Sequence, residues 1–212
     1  MSPNRQSGAS ATTFEVILLA IVLAACGGCQ KFTNDPPSGN GPIVALGDSL
    51  TSGVGAYEAG AYPDFLSREL GEPVLNRGVS GDTTEDGLRR LEKDVLAANP
   101  RVVIVWLGAN DILRQLSEAQ AVENLTQIVE AIQARGALVV LVGVPDAPFR
   151  PSLNDGVKRL AEEKGCVYVP NPLRGILIDP GLKSDQLHPN SRGYERVAGR
   201  IAKKVKKYTR RP

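Results

Sequence analysis

The sequence predicts a three-layer α/β/α sandwich around a mainly parallel, five-stranded sheet. Three observations carry that expectation. Short apolar runs rich in Val, Ile and Leu recur along the chain, bounded by Gly, Asn and Asp. Segments with helical periodicity separate them, and strand-then-helix alternation is the pattern of a parallel sheet covered on both faces. The 212 residues, 42% hydrophobic and 23% charged, suit one ordinary domain with a buried core.

The elements follow in order from Pro42. Ile43–Leu46 reads as a buried strand, and Pro63–Leu70 as a helix stopped at Gly71. Val74–Asn76 is a short strand. Thr84–Asn99 reads as a helix because Leu88, Leu91, Val95 and Leu96 share one face. Arg101–Leu107 is the clearest strand, a continuous Val/Ile run that needs cover on both sides. Ser117 opens a helix with Gln120 at capping-box spacing; Val122, Leu125, Ile128, Val129 and Ile132 turn inward, and Gly136 ends it. Ala137–Val142 is a strand, Asn154–Lys164 a helix and Cys166–Val169 the fifth strand. Ser191–Lys207 closes the chain as a helix with Val197, Ile201 and Val205 on one side.

Residues 1–41 read differently. Val16 to Ala25 is a run of ten apolar or small residues, too short for a bilayer span of about 20 and suited to the core of an export signal. It ends Leu23-Ala24-Ala25-Cys26, which resembles the lipobox of bacterial lipoproteins. The resemblance implies a signal over 1–25, removed before Cys26, and a lipidated cysteine holding an exported cell-envelope lipoprotein to a membrane. Arg5 is the only cation ahead of the run, and Glu15 abuts it, so a plain secretory signal or an uncleaved anchor are the alternatives. Gln30–Gly41, polar and rich in Pro, Gly and Asn, reads as tether, so 26–41 is expected to be a lipidated flexible link to a domain over 42–212. Cys26 and Cys29 have C-x-x-C spacing, but no strand precedes them as a redox motif requires. Cys166 reads as a buried small hydrophobe.

Charge and composition exclude other classes. A net charge of +2 argues against a strongly basic nucleic-acid binder. One histidine and three cysteines argue against a zinc site and a disulfide scaffold. Six of the residues from Lys203 to Pro212 are cations, readable as a solvated helix end or as a membrane-facing one beside anionic lipid.

Ligands of parallel sheets bind beyond the carboxyl ends of the strands, and four polar, Gly-containing or His-containing clusters fall there. They are Gly47-Asp48-Ser49-Leu50-Thr51, Gly78-Val79-Ser80-Gly81-Asp82-Thr83, Gly108-Ala109-Asn110-Asp111 and Asp185-Gln186-Leu187-His188-Pro189. Any imidazole catalysis must use His188, the only histidine. Asp185, three residues earlier, is spaced to fix its tautomer and stabilise the imidazolium. Ser49, in a tight Gly-Asp-Ser turn, is the hydroxyl such a base wants. Taken singly, His188 is equally a helix-cap residue, Ser49 a loop hydroxyl, and Gly81 and Asn110 turn formers; four clusters at one crevice are harder to account for that way.

The four blocks, in order and spanning Ile43 to Lys204, resemble those of the SGNH or GDSL hydrolase superfamily, and within it the bacterial multifunctional thioesterase/lysophospholipase/arylesterase branch. The resemblance implies the flavodoxin-like SGNH fold and a serine esterase with no metal or organic cofactor. It implies Ser49 as nucleophile, His188 as base and Asp185 as its orienting acid. Ser49 N–H, Gly81 N–H and the Asn110 amide would form the oxyanion hole. Gly81 lets a backbone N–H approach the substrate oxygen, and an amide donor cannot be lost by titration. The same resemblance places Ile112–Gln115, Val144-Pro145 and Leu187 around the acyl pocket, Leu113 included. Asp48 and Asp111 read as loop-holding residues. Lysophospholipids or short aryl and alkyl esters are the expected substrates, with carbohydrate O-acetyl esters, or a non-catalytic envelope-binding lipoprotein, as alternatives. There is no G-x-S-x-G elbow, and neither Gly53-Val54-Gly55 nor Gly55…Gly60 continues into a nucleotide-binding fingerprint.

Overall fold

The computed structural model describes residues 32–38, 40–57, 60–144 and 152–209. Five strands, β1 (Ile43–Gly47), β2 (Val74–Gly78), β3 (Val102–Trp106), β4 (Leu138–Val142) and β5 (Val167–Val169), form one sheet in the order β2-β1-β3-β4-β5. Every pairing is parallel. The helices are α1 (Ser49–Ser52), α2 (Tyr62–Leu70), α3 (Thr84–Asp94), α4 (Ala109–Leu113), α5 (Glu118–Ala134), α6 (Ser152–Glu163) and α7 (Ser191–Thr209). This is the expected three-layer α/β/α sandwich.

Alternation along the strands builds a core on each face, because successive side chains point to opposite sides. Ile43, Ala45, Ile104 and Val140 pack with Tyr62 and Leu66 of α2 and with Tyr194, Val197 and Ile201 of α7. Val44, Val103, Val105 and Val139 pack with Leu91 of α3, Leu125, Ile128 and Ile132 of α5, and Val157 and Leu160 of α6. The chain leaves β1 toward the first face and β3 toward the second. These adjacent strands therefore form a topological switch point, which opens a crevice at their carboxyl ends.

Most element boundaries differ from the sequence expectation by one or two residues. The helix expected to run from 84 to 99 stops at Asp94, and Leu96–Ala98 tightens into a 3₁₀ turn before Asn99 takes a left-handed conformation (φ 48°). Two short helices, α1 and α4, were not expected; each occupies a strand-end cluster. Within the expected tether, residues 32–38 are fastened to the domain. Thr33 N–H donates to the Gly165 carbonyl (2.8 Å), and Asn34 Nδ2 donates to the carbonyls of Gln133 (2.9 Å) and Ala137 (3.0 Å). Prolines and asparagines there exclude regular structure but not docking, since an Asn side chain takes up carbonyls that strand and helix ends leave open. Cys26 and the expected signal lie outside the described residues. No helix among the described residues is long and apolar enough to cross a membrane.

Candidate active site

The first turn after β1 carries Ser49. Asp48 caps α1 by accepting from the Leu50 N–H (3.0 Å). The helix sits directly on the ends of β1 and β2, which requires glycine beneath it: a Cβ on Gly78 would lie 2.1 Å from the Ser52 nitrogen. Asn76 of β2 fastens it from below, donating to the Thr51 carbonyl (2.8 Å).

His188 arrives from the other end of the chain. Its loop is closed by the Ser184 N–H donating to the His188 carbonyl (2.9 Å) and by a bridge between Lys183 and Pro189. It is stitched to the loop after α1 by Ser191 Oγ, which donates to the Ala56 carbonyl (3.0 Å), and Tyr194 Oη, which donates to that of Val54 (2.8 Å). The ring meets both expected partners: Nε2 lies 3.0 Å from Ser49 Oγ, and Nδ1 lies 2.8 Å from Asp185 Oδ2. Asp185 Oδ1 accepts from the N–H groups of Leu187 (2.7 Å) and His188 (2.8 Å). The Leu187 N–H, and after it the His188 side chain, hold the Asp185 carboxyl down at about 2, so it is a carboxylate at neutral pH.

Gly81 and Asn110 close on the same point. Gly81 turns with φ +86°, a left-handed conformation that a side chain would strain. Its carbonyl accepts from Arg114 (2.6 Å). Among the described residues no acceptor meets the N–H of Ser49 or of Gly81. Asn110 donates through Nδ2 to the Asp82 carbonyl at 2.9 Å, and only at 3.4 Å to Asp48 Oδ2. The short bond orients the amide, and the long one holds it only weakly toward the Ser49 turn. Burial pushes the Asp48 carboxyl up to about 6, opposed by the Leu50 N–H and by the nearness of His188. Asp111 anchors α4 to the start of α3, accepting from Thr84 N–H (2.9 Å) and Thr84 Oγ1 (2.7 Å).

A cavity of about 320 Å³ opens over these groups. Ser49, Gly81, Asn110 and His188 line its polar floor, and Ile112, Leu113, Leu177 and Leu187 its apolar wall. Three of the expected pocket residues, Ile112, Leu113 and Leu187, are thus brought to it. Val144 is not: it is buried in the core of the α5 and α6 face, where it underlies Gly108, because the apolar run of β4 continues inward past Gly143. Pro145 lies outside the described residues. The sequence missed Leu177, although its segment Leu173-Arg174-Gly175-Ile176-Leu177 is apolar and immediately precedes the Asp185 block. It also missed Arg90, which donates to Asp82 Oδ2 (2.6 Å) and the Gly47 carbonyl (3.0 Å) and which nothing in local sequence marks. Of the expected loop Ile112–Gln115, Arg114 and Gln115 do not line the cavity, and Arg114 instead holds the Gly81 carbonyl. Among the described residues no group of three or more His, Cys, Asp or Glu could hold a metal.

A hydroxyl, an imidazole and a carboxylate in one hydrogen-bonded line, at the switch point of a doubly wound sheet, place the molecule in the class of serine ester hydrolases. The match to a family model fixes the lineage. Residues 45–196 match the GDSL-like lipase/acylhydrolase family, to which the chain belongs. The chain is 30% identical to thioesterase 1/protease 1/lysophospholipase L1 of Escherichia coli K12 over 172 residues, 77% of this chain and 82% of that protein. It is 27% identical to an acetylxylan esterase of Geobacillus stearothermophilus, over 80% of this chain and 86% of that one. Among solved structures it resembles AlinE4, an SGNH-hydrolase family esterase, with 34% identity and a TM-score of 0.63, covering 82% of this chain and 99% of that one.

Proposed function

We propose that this esterase cleaves acyl esters and thioesters through a covalent acyl-enzyme on Ser49. The observation that carries the reading is the unbroken line from Ser49 Oγ through His188 to Asp185. His188 Nε2 takes the Ser49 proton as the hydroxyl oxygen attacks the carbonyl carbon. The oxyanion rests on the N–H groups of Ser49 and Gly81 and on Asn110 Nδ2. The tetrahedral adduct collapses, the carbon–oxygen or carbon–sulfur bond breaks, and the alcohol or thiol leaves with the proton from His188. Water then repeats the sequence and releases the acid. None of these steps calls on a cofactor.

The apolar wall favours an acyl chain over a bare acetyl group, which makes lysophospholipids and short aryl or alkyl esters the proposed substrates. The likeness to an acetylxylan esterase favours a second reading, hydrolysis of carbohydrate O-acetyl esters. An acyl-length series on p-nitrophenyl esters, with acetylated xylan alongside, separates the two: a sharp acetyl optimum with turnover of xylan selects the second. Ser49→Ala is expected to abolish ester turnover and leave the fold intact; retained turnover means another nucleophile. The four residues ending in Cys26 support an exported lipoprotein held to a membrane through that cysteine. Cys26→Ser should then abolish incorporation of labelled fatty acid, and undiminished labelling means that Cys26 is not the acylated residue.

A further inference from the structure

Charge is unevenly distributed over this molecule. The whole chain is net +2, but α7 alone carries seven cations and one acid, Glu195. The rest of the chain is therefore net negative. The last turns concentrate the cations: Lys203, Lys204, Lys206 and Lys207 are exposed, and Arg210 and Arg211 follow in sequence.

We infer that the C-terminal turns of α7 form a docking surface for anionic lipid, at the pole of the molecule opposite the cleft. α7 runs antiparallel to the strands. Its first turns bond to the loop after α1, beside the cleft, whereas the Thr209 carbonyl at its end accepts from Arg101 (2.7 Å), which immediately precedes β3. The last turn of α7, with Lys206 and Lys207, thus lies where the strands begin, whereas Lys203 and Lys204 stand on the flank of the domain, beside Val169–Asn171 at the end of β5. Three carboxylates at that pole are already matched, Glu72 by Arg101, Glu92 by Arg135 and Glu130 by Lys164. Lys203, Lys204 and Lys206 have no ion-pair partner among the described residues.

The chain enters the domain at the same pole, which is what points to a membrane as the occupant. The Phe32 ring packs edge-on against Tyr208 (centroids 5.1 Å apart), and Thr33 and Asn34 bond to residues that precede β4 and β5. Cys26 is six residues upstream, so a lipid on it reaches at most about 20 Å from Phe32. The helix that joins the two poles is about 28 Å long. A lipid anchor on Cys26 and a basic surface on α7 then engage one bilayer together, the two-signal arrangement that gives stable attachment. This orientation rests on the reading of Cys26 as lipidated; the basic surface does not. It turns the cleft away from the bilayer that carries the enzyme, toward esters arriving from solution. Large apolar side chains left exposed among the described residues, Tyr57, Leu113, Ile178 and Leu187 among them, lie in loops and at the end of α4 at the cleft pole.

The test uses the full chain with phosphatidylcholine vesicles, with and without phosphatidylglycerol. Wild-type binding is expected to rise when the anionic lipid is present, and Lys203→Gln/Lys204→Gln/Lys206→Gln to weaken that binding by about 100-fold at physiological salt. The triple variant should hydrolyse a soluble p-nitrophenyl ester like wild type, since the lysines are remote from the cleft. Equal wild-type binding to both vesicles overturns the proposal, as does a triple variant that keeps the anionic increment. Binding to DNA or polyphosphate tighter than to vesicles overturns the choice of lipid. Vesicle-bound enzyme should turn over the soluble ester as fast as free enzyme; inhibition by vesicles would set the cleft against the bilayer and overturn the orientation. Ser49→Ala should bind vesicles normally, so loss of catalysis and loss of docking are read separately.

Discussion

Replacing Asp185 by asparagine tests the proposed catalytic line at its most constrained point. The carboxylate makes four contacts: Oδ1 with the N–H groups of Leu187 (2.7 Å) and His188 (2.8 Å), and His188 Nδ1 with Oδ2 (2.8 Å) and, at greater length, with Oδ1 (3.1 Å). An amide has a single acceptor oxygen. Two converging N–H donors keep that oxygen at the Oδ1 position, so the NH₂ group must face the ring. Facing that NH₂, Nδ1 accepts and the ring proton moves to Nε2, 3.0 Å from Ser49 Oγ, in competition with a longer bond in which Nδ1 keeps its proton and donates to the amide oxygen (3.1 Å). A protonated Nε2 cannot take the serine proton. The same tautomer error costs about 10⁴ in the Ser-His-Asp template, where the carboxylate is buried. Here the Asp185 side chain is 52% exposed, and solvent competes for the ring. The expected loss in kcat is therefore about 10²–10⁴, or about 3–5 kcal/mol in the barrier. Turnover of a p-nitrophenyl ester measures it, and a melting curve controls for folding, which should hold because both backbone donors keep an acceptor. Linkage adds a second readout. The folded Asp185 titrates below its ordinary value of 3.8, so its stabilisation is full above pH 4 and lost as pH falls toward 2; the variant lacks that acid loss. More than a tenth of wild-type turnover in the folded variant would refute the assignment of Asp185 as the residue that sets the tautomer.

Three other perturbations are equally specific. Asn110→Ala should lower kcat by about 10²–10³ with KM for the ester little changed, and an effect under threefold in steady-state assays would remove Asn110 from the oxyanion-binding group. Asp48 titrates near 6 in the folded state against 3.8 in its absence, so the native state holds its proton more tightly and stability falls as pH rises from about 4 to about 6. In urea titrations across that window the wild type should lose about 3 kcal/mol relative to Asp48→Asn; parallel curves would show that Asp48 titrates normally. Arg101 is 3% exposed and binds Glu72 and the Thr209 carbonyl. Arg101→Met should cost about 3–5 kcal/mol without changing kcat in the cold, and a loss below 1 kcal/mol in the same titration would mean the pair is solvent-screened.

The three central strands were legible because each is buried on both faces, whereas β2, at the sheet edge and half-exposed beyond Val74, showed only its first three residues. Val102–Trp106 and Leu138–Val142 have no polar residue to confuse the pattern. The short helices α1 and α4 were not, since four or five residues cannot display a 3.6-residue period. Ser49 and Asn110 could be singled out only as residue types at strand ends. Sequence spacing brought Asp185 to His188, but nothing local required Ser49 to lie beside a residue 139 positions away; the superfamily blocks supplied that. Val144 exposes the limit of apolar pattern. A hydrophobe just past a strand can face the core or a ligand, and only the path of the backbone after Gly143 decides. Leu177 is the converse, a residue in an irregular segment that reaches the cleft through long-range packing.

The resulting site has two mechanically different parts. Ser49, Gly81 and Asn110 are joined in one frame at the switch point. Arg90 binds both the Gly47 carbonyl and Asp82, Asp82 accepts from Asn110, and Asp48 lies between Asn110 and the Ser49 turn. Strand ends and buried glycines fix that frame, so the proposed nucleophile and oxyanion donors move together or not at all. His188 and Asp185 belong to a separate loop whose internal bonds keep base and acid in register with each other. Its register with Ser49 depends on the few contacts of Tyr194 and Ser191 with the loop after α1. Because, among the described residues, Ser49 Oγ and His188 Nε2 are the only atoms of the proposed catalytic group that bond across this divide, perturbations of the 182–190 loop should act on proton transfer and leave oxyanion binding intact. Perturbations of Arg90 or Asp82 act the other way round: they loosen the oxyanion donors while the Ser49–His188 distance survives.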